Sequence, residues 1–452
     1  MTDPHYEITF NSDTLKTADL KLTFLATNLT KNTEYFVKGY VVTLSNTYYS
    51  TKKSITLKNN ILTINVSNDY IPTGKEYWVV VSKNSTTLIT QKLQNGQIYT
   101  FSNNIPAKAD FHLFKWDATN VRLTVQSFTN IVPDNFNLLN AYATLNVGQA
   151  TVTISDLVNF SGWGVSGSWW WNSTTTSTTK SLSTSLYKNP DEVFIYCLPS
   201  SGTAPLYKNV TNVTPGSTYT YTMANLTAMS SYTNISLPVN NNLFYYNLGG
   251  FNTDYYTEYK NYHSYTYSSG YTGTFKLYYP TGINTNYLFN GLYTTANQQS
   301  NYIKLGSLPT TFFSTFPTIT ITNATQFNST TTAVNNFADF EAAIVIGIYS
   351  SSPLSIQWDY YTQSLASNTV LVPEFPVEVK AKINNLSISA LSFANFALYD
   401  ISNSQVTSYD SFVDLIVKKS SRTFDVIKER RTYYQWINKK SSDIIIRDFE
   451  SR

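Results

Sequence analysis

Punctuation is what most narrows the folds open to this chain. Short runs of alternating apolar and polar residues recur along its length, each closed by a cluster of Asn, Gly, Pro or Ser. Leu20, Leu22 and Phe24 alternate with Lys21 and Thr23, and the period returns at Val121, Leu123 and Val125, and at Ile319 and Ile321. It returns again at Val377, Val379, Ala381 and Ile383. A period of two places one class of side chain on each face of a strand. The closing clusters, such as Asn59-Asn60, Pro72-Thr73-Gly74 and Asn95-Gly96, are turn formers. The expected fold is all-β, with several β-sandwich modules (jelly-roll or Ig-like) in series and a short, partly helical C-terminal segment.

A weak internal repeat sets the expected boundaries. Tyr77 to Phe101 and Val193 to Tyr221 both run from an apolar strand through a polar turn to a second strand. In both, Gly-x-x-Tyr-Thr then opens a third, at Gly96 and at Gly216. Two glycines 120 residues apart match the size of a sandwich domain rather than a solenoid repeat. The expected units are a sandwich module over 1–109 and a second over 110–238. A tyrosine-rich β domain over 239–380 and a C-terminal segment over 381–452 follow. From Ser411 to Lys440 the spacing of Phe412, Leu415, Ile416, Phe424, Ile427 and Tyr434 partly fits a helix. This segment reads either as a basic docking element for a protein shell or an acidic lipid surface, or as a terminal helix packed on its own domain.

Two aromatic stretches stand out as candidate binding surfaces. SGWGVSGSWWWNSTTTSTTK sets Trp169, Trp170 and Trp171 against a run of hydroxyls from Ser173 to Thr179. Neighbouring side chains on a strand face opposite ways, so three adjacent tryptophans cannot all enter one core. The second stretch holds Tyr255, Tyr256, Tyr259, Tyr262, Tyr265 and Tyr267 within thirteen residues. Tyrosine gives amphipathic contact area at low entropic cost, and its ring face suits a sugar. For each stretch the competing reading is an ordinary aromatic cluster.

Composition matters for what surrounds these surfaces. Charged residues make up only 13% of the 452, about half the usual 25%. Asn, Ser, Thr and 36 tyrosines take their place. Hydroxyl and amide hydrogen bonds persist in acid, where carboxylates lose their pairing, so the surface reads as extracellular. The remaining charge is uneven: ten basic and five acidic residues follow Leu415, whereas the preceding 414 hold 21 and 23. Ten basic residues without a recognition motif do not argue for nucleic-acid binding. Cys197 is the only cysteine, which excludes an intramolecular disulfide and a thiolate metal cage, and it reads as a small buried hydrophobe. MTDPHYEITFNSD lacks the basic and apolar regions of a secretory signal, and no apolar run is long enough to span a bilayer.

Little points to catalysis. His5, His112 and His263 are scattered, and no phosphate loop, dinucleotide fingerprint or nucleophile elbow occurs. Carboxylates that would suit a glycosidase are Asp254 with Glu258, Asp339 with Glu341, and Asp359. The expectation is no catalytic residue, no metal and no cofactor. Glycosylation sequons fall at Asn28, Asn65, Asn84, Asn159, Asn172, Asn209, Asn212, Asn225, Asn234, Asn323, Asn328 and Asn385. A chain with 46 asparagines and abundant Ser and Thr gives about as many by chance, so the number alone proves nothing.

With its Asn/Thr/Ser/Tyr-rich β modules, single cysteine, WWWNSTTTSTT stretch and charged terminus, the chain resembles the turret, spike and other virion-surface proteins of viruses infecting thermoacidophilic archaea. The resemblance is one of composition and layout. It implies a structural glycoprotein on the virion surface, in contact with copies of itself, other capsid proteins, and host glycans or a receptor. The rival readings are a receptor-binding or glycan-cleaving appendage and a cellular surface-layer or adhesin protein.

Overall fold

The computed structural model describes residues 61–436 except 102–104, 140–145, 169–170, 177, 201–202, 238–242, 254–257, 268–272, 296–297, 311–317, 323–324, 336–340, 364–365, 402–405 and 417–428. Nearer the N-terminus it gives the backbone of two antiparallel pairs, His5–Phe10 with Leu20–Leu25 and Glu34–Val42 with Tyr48–Thr56.

One twelve-stranded sheet organises the protein. In spatial order its strands are Lys260–Tyr267, Leu243–Phe251, Asn286–Thr294, Gln298–Gly306, Glu429–Trp436, Ser392–Ile401, Ala342–Ser351, Leu354–Thr362, Arg122–Ile131, Ala109–Asp117, Lys75–Lys83 and Thr86–Lys92. Neighbours are antiparallel except Arg122–Ile131 against Leu354–Thr362. That parallel contact joins strands about 230 residues apart in sequence, so it rests on long-range packing rather than on a turn.

The middle of this sheet is buried on both faces, which explains its continuous apolar runs. On Ala342–Ser351, Ile344 and Ile346 enter one core with Val79, Phe111 and Tyr361. Ala343 and Val345 enter the other with Trp78, Phe114 and Trp358. The three-stranded sheet of Asn135–Leu138, Leu62–Val66 and Ile98–Phe101 and the helix Tyr409–Ile416 supply cover on the first face. Phe375, Val379, Ile383 and Ile388 cover the second.

A separate sandwich lies within residues 148–228. Ser181–Leu186, Gly148–Ile154 and Thr218–Tyr221 form one sheet. Trp171–Thr174, Phe160–Ser166, Asp191–Pro199, Leu206–Val213 and Thr227–Ala228 form the other. Asp191–Pro199 belongs to two cores. Val193, Ile195 and Cys197 fill the sandwich, whereas Phe194 and Tyr196 face the tyrosine-rich strands beside Tyr262, Phe244 and Phe275. Each large apolar side chain so buried is worth about 1.5–3 kcal/mol. The sequence VFIYCL is therefore the joint between sandwich and large sheet, and Cys197 is a buried hydrophobe as expected.

The repeat corresponds to a shared chain path. In both copies a hairpin in one sheet leads to a turn with a left-handed glycine, Gly96 at φ +73° and Gly216 at φ +81°. The strand that follows joins a facing three-stranded sheet, and each glycine N–H donates to a carbonyl of that sheet's central strand or its end, Val66 or Gln149.

Four expectations change. Val377, Val379, Ala381 and Ile383 do not form a strand: Val377–Lys382 is an α-helix preceded by Pro376, whose fixed φ suits a helix start. Val379 and Ile383 are buried and Val377 is 80% exposed. The alternation contained an i, i+4 pair, and that pair is what packs. Ser411 to Lys440 is not one helix either, because Tyr409–Ile416 is helical and Glu429–Trp436 is a strand. Finally, the described part of the segment expected over 381–452 does not stand apart as a docking element, since Ser392–Ile401 and Glu429–Trp436 lie in the middle of the twelve-stranded sheet; residues 437–452 lie outside the described residues. The boundary expected at 109 likewise falls at the first residue of a strand paired with Lys75–Lys83.

Candidate functional site

Those of the titratable groups named above whose side chains are described are each engaged in hydrogen bonds within the fold. His112 lies between two hydroxyls, with Nε2 2.8 Å from Ser82 Oγ and Nδ1 2.7 Å from Ser127 Oγ, and Trp358 Nε1 donates to Ser127 at 2.7 Å. A serine at that distance from an imidazole is nucleophile–base geometry. Yet Ser82, His112 and Ser127 are fully buried, leaving a substrate no route to them. Burial pushes the imidazole down to about 3. His263 bonds the Tyr278 carbonyl through Nε2 at 2.8 Å, and burial holds it at about 4.

The carboxylates behave alike. Glu258 accepts the backbone N–H groups of Asn252 and Thr253 at 2.9 and 2.8 Å, and Glu341 accepts that of Ile401 at 2.7 Å. Asp359 is buried and accepts from Gln357 at 2.9 Å. Their sequence partners Asp254 and Asp339 lie outside the described residues. Asp191, buried at the start of its strand, accepts from the N–H groups of Tyr187 and Glu192 and from Ser168 Oγ. Among the described residues no three His, Cys, Asp or Glu side chains are grouped to hold a metal ion.

The tyrosine tract divides. Tyr262 is fully buried and Tyr259 nearly so, which corrects their reading as surface contacts. The cause is two glycines on the neighbouring strand. A side chain at Gly249 would strike the Tyr259 ring at 2.2 Å, and one at Gly250 would meet the Tyr262 hydroxyl and ring at 2.1–2.8 Å. Tyr259 donates to Asn247 Oδ1 at 2.9 Å, and Tyr262 bonds Asn284. The same segment is fastened to the sandwich: Asn261 N–H donates to Ser166 Oγ at 2.9 Å, and Lys260 pairs with Glu192 at 3.1 Å. Tyr265 is 42% exposed. Tyr267 is in the strand, with only its backbone described, and Tyr255 and Tyr256 lie outside the described residues.

The tryptophan stretch supplies the better candidate surface. Trp163 is buried, its indole N–H bonded to the Thr179 carbonyl at 2.9 Å. Trp171 opens the edge strand Trp171–Thr174 opposite Ser166 and is 52% exposed. Trp169 and Trp170 lie outside the described residues. Register continues the row from Trp171 through Ser166 to Phe194, so the exposed indole stands at the margin of the face turned toward the tyrosine-rich strands. Hydroxyls follow it in sequence and bond one another, Thr174 to Thr176 at 2.6 Å and Thr176 to Thr179 at 3.3 Å. An aromatic face beside hydroxyl groups is chemistry suited to a polar, uncharged partner.

One charged constellation was not anticipated. Where Glu429–Trp436 lies between Gln298–Gly306 and Ser392–Ile401, Glu429 sits 3.5 Å from Lys304 and 3.2 Å from Arg431, and accepts from Tyr302 at 2.7 Å. Arg431 also lies 3.8 Å from Asp400 and 4.6 Å from the Tyr302 ring centre. These groups separate two apolar cores on one sheet face, the one holding Tyr433 and the one holding Tyr302. The sequence signal was Glu429-Arg430-Arg431 just ahead of Tyr433, Tyr434 and Trp436, charges of both signs entering an aromatic stretch.

The sequons also fall into distinct settings. Asn84, Asn159, Asn212 and Asn385 are exposed at left-handed backbone positions, with φ between +49° and +57°. Asn172, Asn225 and Asn234 are exposed elsewhere, and Asn65, Asn209 and Asn328 are half-buried. Asn28 and Asn323 lie outside the described residues.

No protein family's sequence profile matches the chain, and no curated protein matches it in sequence. Among solved structures, the open conformation of the pilus adhesin SpaC from Lactobacillus rhamnosus GG is similar over 74% of this chain, at 9% identity and a TM-score of 0.11. The chain spans about half of that protein's length, 48%. A TM-score of this size does not establish a shared fold.

Proposed function

We propose that this chain is an extracellular structural protein, and more specifically a component of a virion surface of the turret, spike or capsid-vertex kind, without catalytic activity. The observation that carries the reading is how its side chains are used. His112, His263 and Glu341 bond other strands, Asp191 and Glu258 fasten the turns beside them, Asp359 accepts from Gln357 on its own strand, and the two histidines are sealed from solvent. The surface offers hydroxyls, amides and single aromatic rings such as Trp171, Tyr232 and Tyr265. A polypeptide whose ionisable groups are spent on cohesion and whose exterior is polar but weakly charged suits repeated contact with copies of itself and with neighbouring shell proteins. The Trp171 margin is the favoured site for a host glycan or receptor. No described helix is long and apolar enough to cross a membrane.

Quantitative mass spectrometry of particles, cell envelopes and cytosol from the source culture tests this. Enrichment with purified particles is the expected result. Recovery from envelopes of particle-free cells establishes the cellular surface protein instead, and a free cytosolic monomer that turns over a metabolite ends the structural reading.

A further inference from the structure

An N-linked glycan is bulky and hydrated, so its asparagine must present the side-chain amide outside the fold. Twelve sequons meet the sequence requirement and the structure separates them. Asn84 occupies the two-residue turn between Lys75–Lys83 and Thr86–Lys92, followed by Ser85 at φ +63°. Asn159 precedes Phe160–Ser166, Asn212 stands on the irregular end of Leu206–Val213, and Asn385 follows Val377–Lys382. Left-handed backbone explains asparagine at such corners. It does not require the Ser or Thr two residues on. Among the described residues none of these four side-chain amides takes part in a hydrogen bond.

Three other sequons are closed. Asn65 donates its amide to Asn137 Oδ1 at 2.8 Å across the three-stranded sheet. Asn209 directs its amide at Glu192, 3.5 Å away, beside the Lys260 pair, and its Oδ1 is buried. Asn328 follows the fully buried Phe327, and its own Oδ1 is buried. A sugar on Asn209 would enter the joint between sandwich and tyrosine-rich strands.

We propose that Asn84, Asn159, Asn212 and Asn385 are N-glycan acceptors and that Asn65, Asn209 and Asn328 stay bare. The inference rests on the extracellular reading above. In the reaction a lipid-phosphate-linked oligosaccharide is the donor. The bond from sugar C1 to the phosphate oxygen breaks, C1 bonds to asparagine Nδ2, an amide proton is released, and the lipid phosphate leaves. The sharpest contrast lies inside Asn209-Val210-Thr211-Asn212-Val213-Thr214, where two sequons three residues apart have opposite settings.

Fragmentation of intact glycopeptides from the full-length protein, purified from its source with its location measured on the same preparation, tests the assignment. Sugar mass is expected on the peptides of the four acceptors and absent from those of the closed three. Asn212→Gln is expected to lower the intact mass by one glycan, and Asn209→Gln by none. Sugar on Asn65, Asn209 or Asn328 overturns the assignment. So does an extracellular protein bare at all four acceptors, which leaves the structural role standing. A cytosolic, sugarless protein overturns both.

Discussion

His112 turns the buried strand network into a measurable pH dependence. Its imidazole is fully buried between Ser82 and Ser127, and burial takes it from an ordinary 6.5 to about 3. The folded protein therefore holds it neutral while the unfolded chain protonates it, so between these two values the unfolded state binds more protons. Stability is complete above pH 6.5 and falls as the pH drops toward 3. At pH 4.5, two units below the unfolded value, the loss is about 3 kcal/mol, from roughly 1.36 kcal/mol per unit. His263, lowered to about 4, adds a loss of similar size. Asp110 acts the other way, because burial raises its carboxyl and protonation in acid relieves that cost. The acid tolerance expected of a hydroxyl-rich surface is thus offset in the interior. Urea unfolding at pH 7.5 and 4.5, for the wild type and His112→Gln, isolates the effect. The variant is less stable at both pH values, and its difference between them is expected to shrink by about 2–3 kcal/mol. An unchanged difference refutes the assignment of the acid loss to this imidazole.

Ile383→Ala is expected to cost about 2–5 kcal/mol in denaturant unfolding, while Val377→Ala stays within about 0.5 kcal/mol, because only the former is buried. Comparable losses at the two positions would mean that the helix is misplaced. Deleting everything after Lys380 removes two central strands, so cooperative unfolding is expected to disappear, and a soluble, cooperatively folded product would contradict that. Lys382→Met removes one partner of Glu76, which Lys382 and Lys92 together hold below its usual value. The pair is partly exposed, so thermal unfolding at pH 7 should report a loss under about 1 kcal/mol, shrinking as salt rises or as the pH falls through the Glu76 titration.

The β class was legible because Leu123, Val125 and their like alternate, and because Asn95-Gly96 and Pro215-Gly216 mark turns that the structure does form. What alternation could not convey was depth. Phe194 and Tyr196 look like the outer face of a sandwich strand, and only the presence of Tyr262, Phe244, Phe275 and their neighbours opposite them makes that face a second core. Val377 to Ile383 shows the opposite error, since a period of two and a period of four share positions, and Pro376 was the local clue that favoured a helix. Serial order also misled. Glu429–Trp436 comes near the end of the sequence and enters the middle of the sheet, and its charges read as solvated until register sets Glu429 beside Lys304 and Arg431 beside Asp400. At the candidate surface, residue type was legible and orientation was not. Tyr259 and Tyr262 differ from Tyr265 by the glycines they meet, information held on another strand.

One sheet joining the tyrosine-rich strands to the remainder of the protein, closed by Glu429–Trp436, is the feature on which the architecture depends. Native-state hydrogen exchange read by mass spectrometry tests it directly in the intact protein. Paired on both sides, amides of Glu429–Trp436 should exchange as slowly as those of Ala342–Ser351, only through global opening. Exchange of the 429–436 peptide within seconds, while Ala342–Ser351 stays protected, would contradict it.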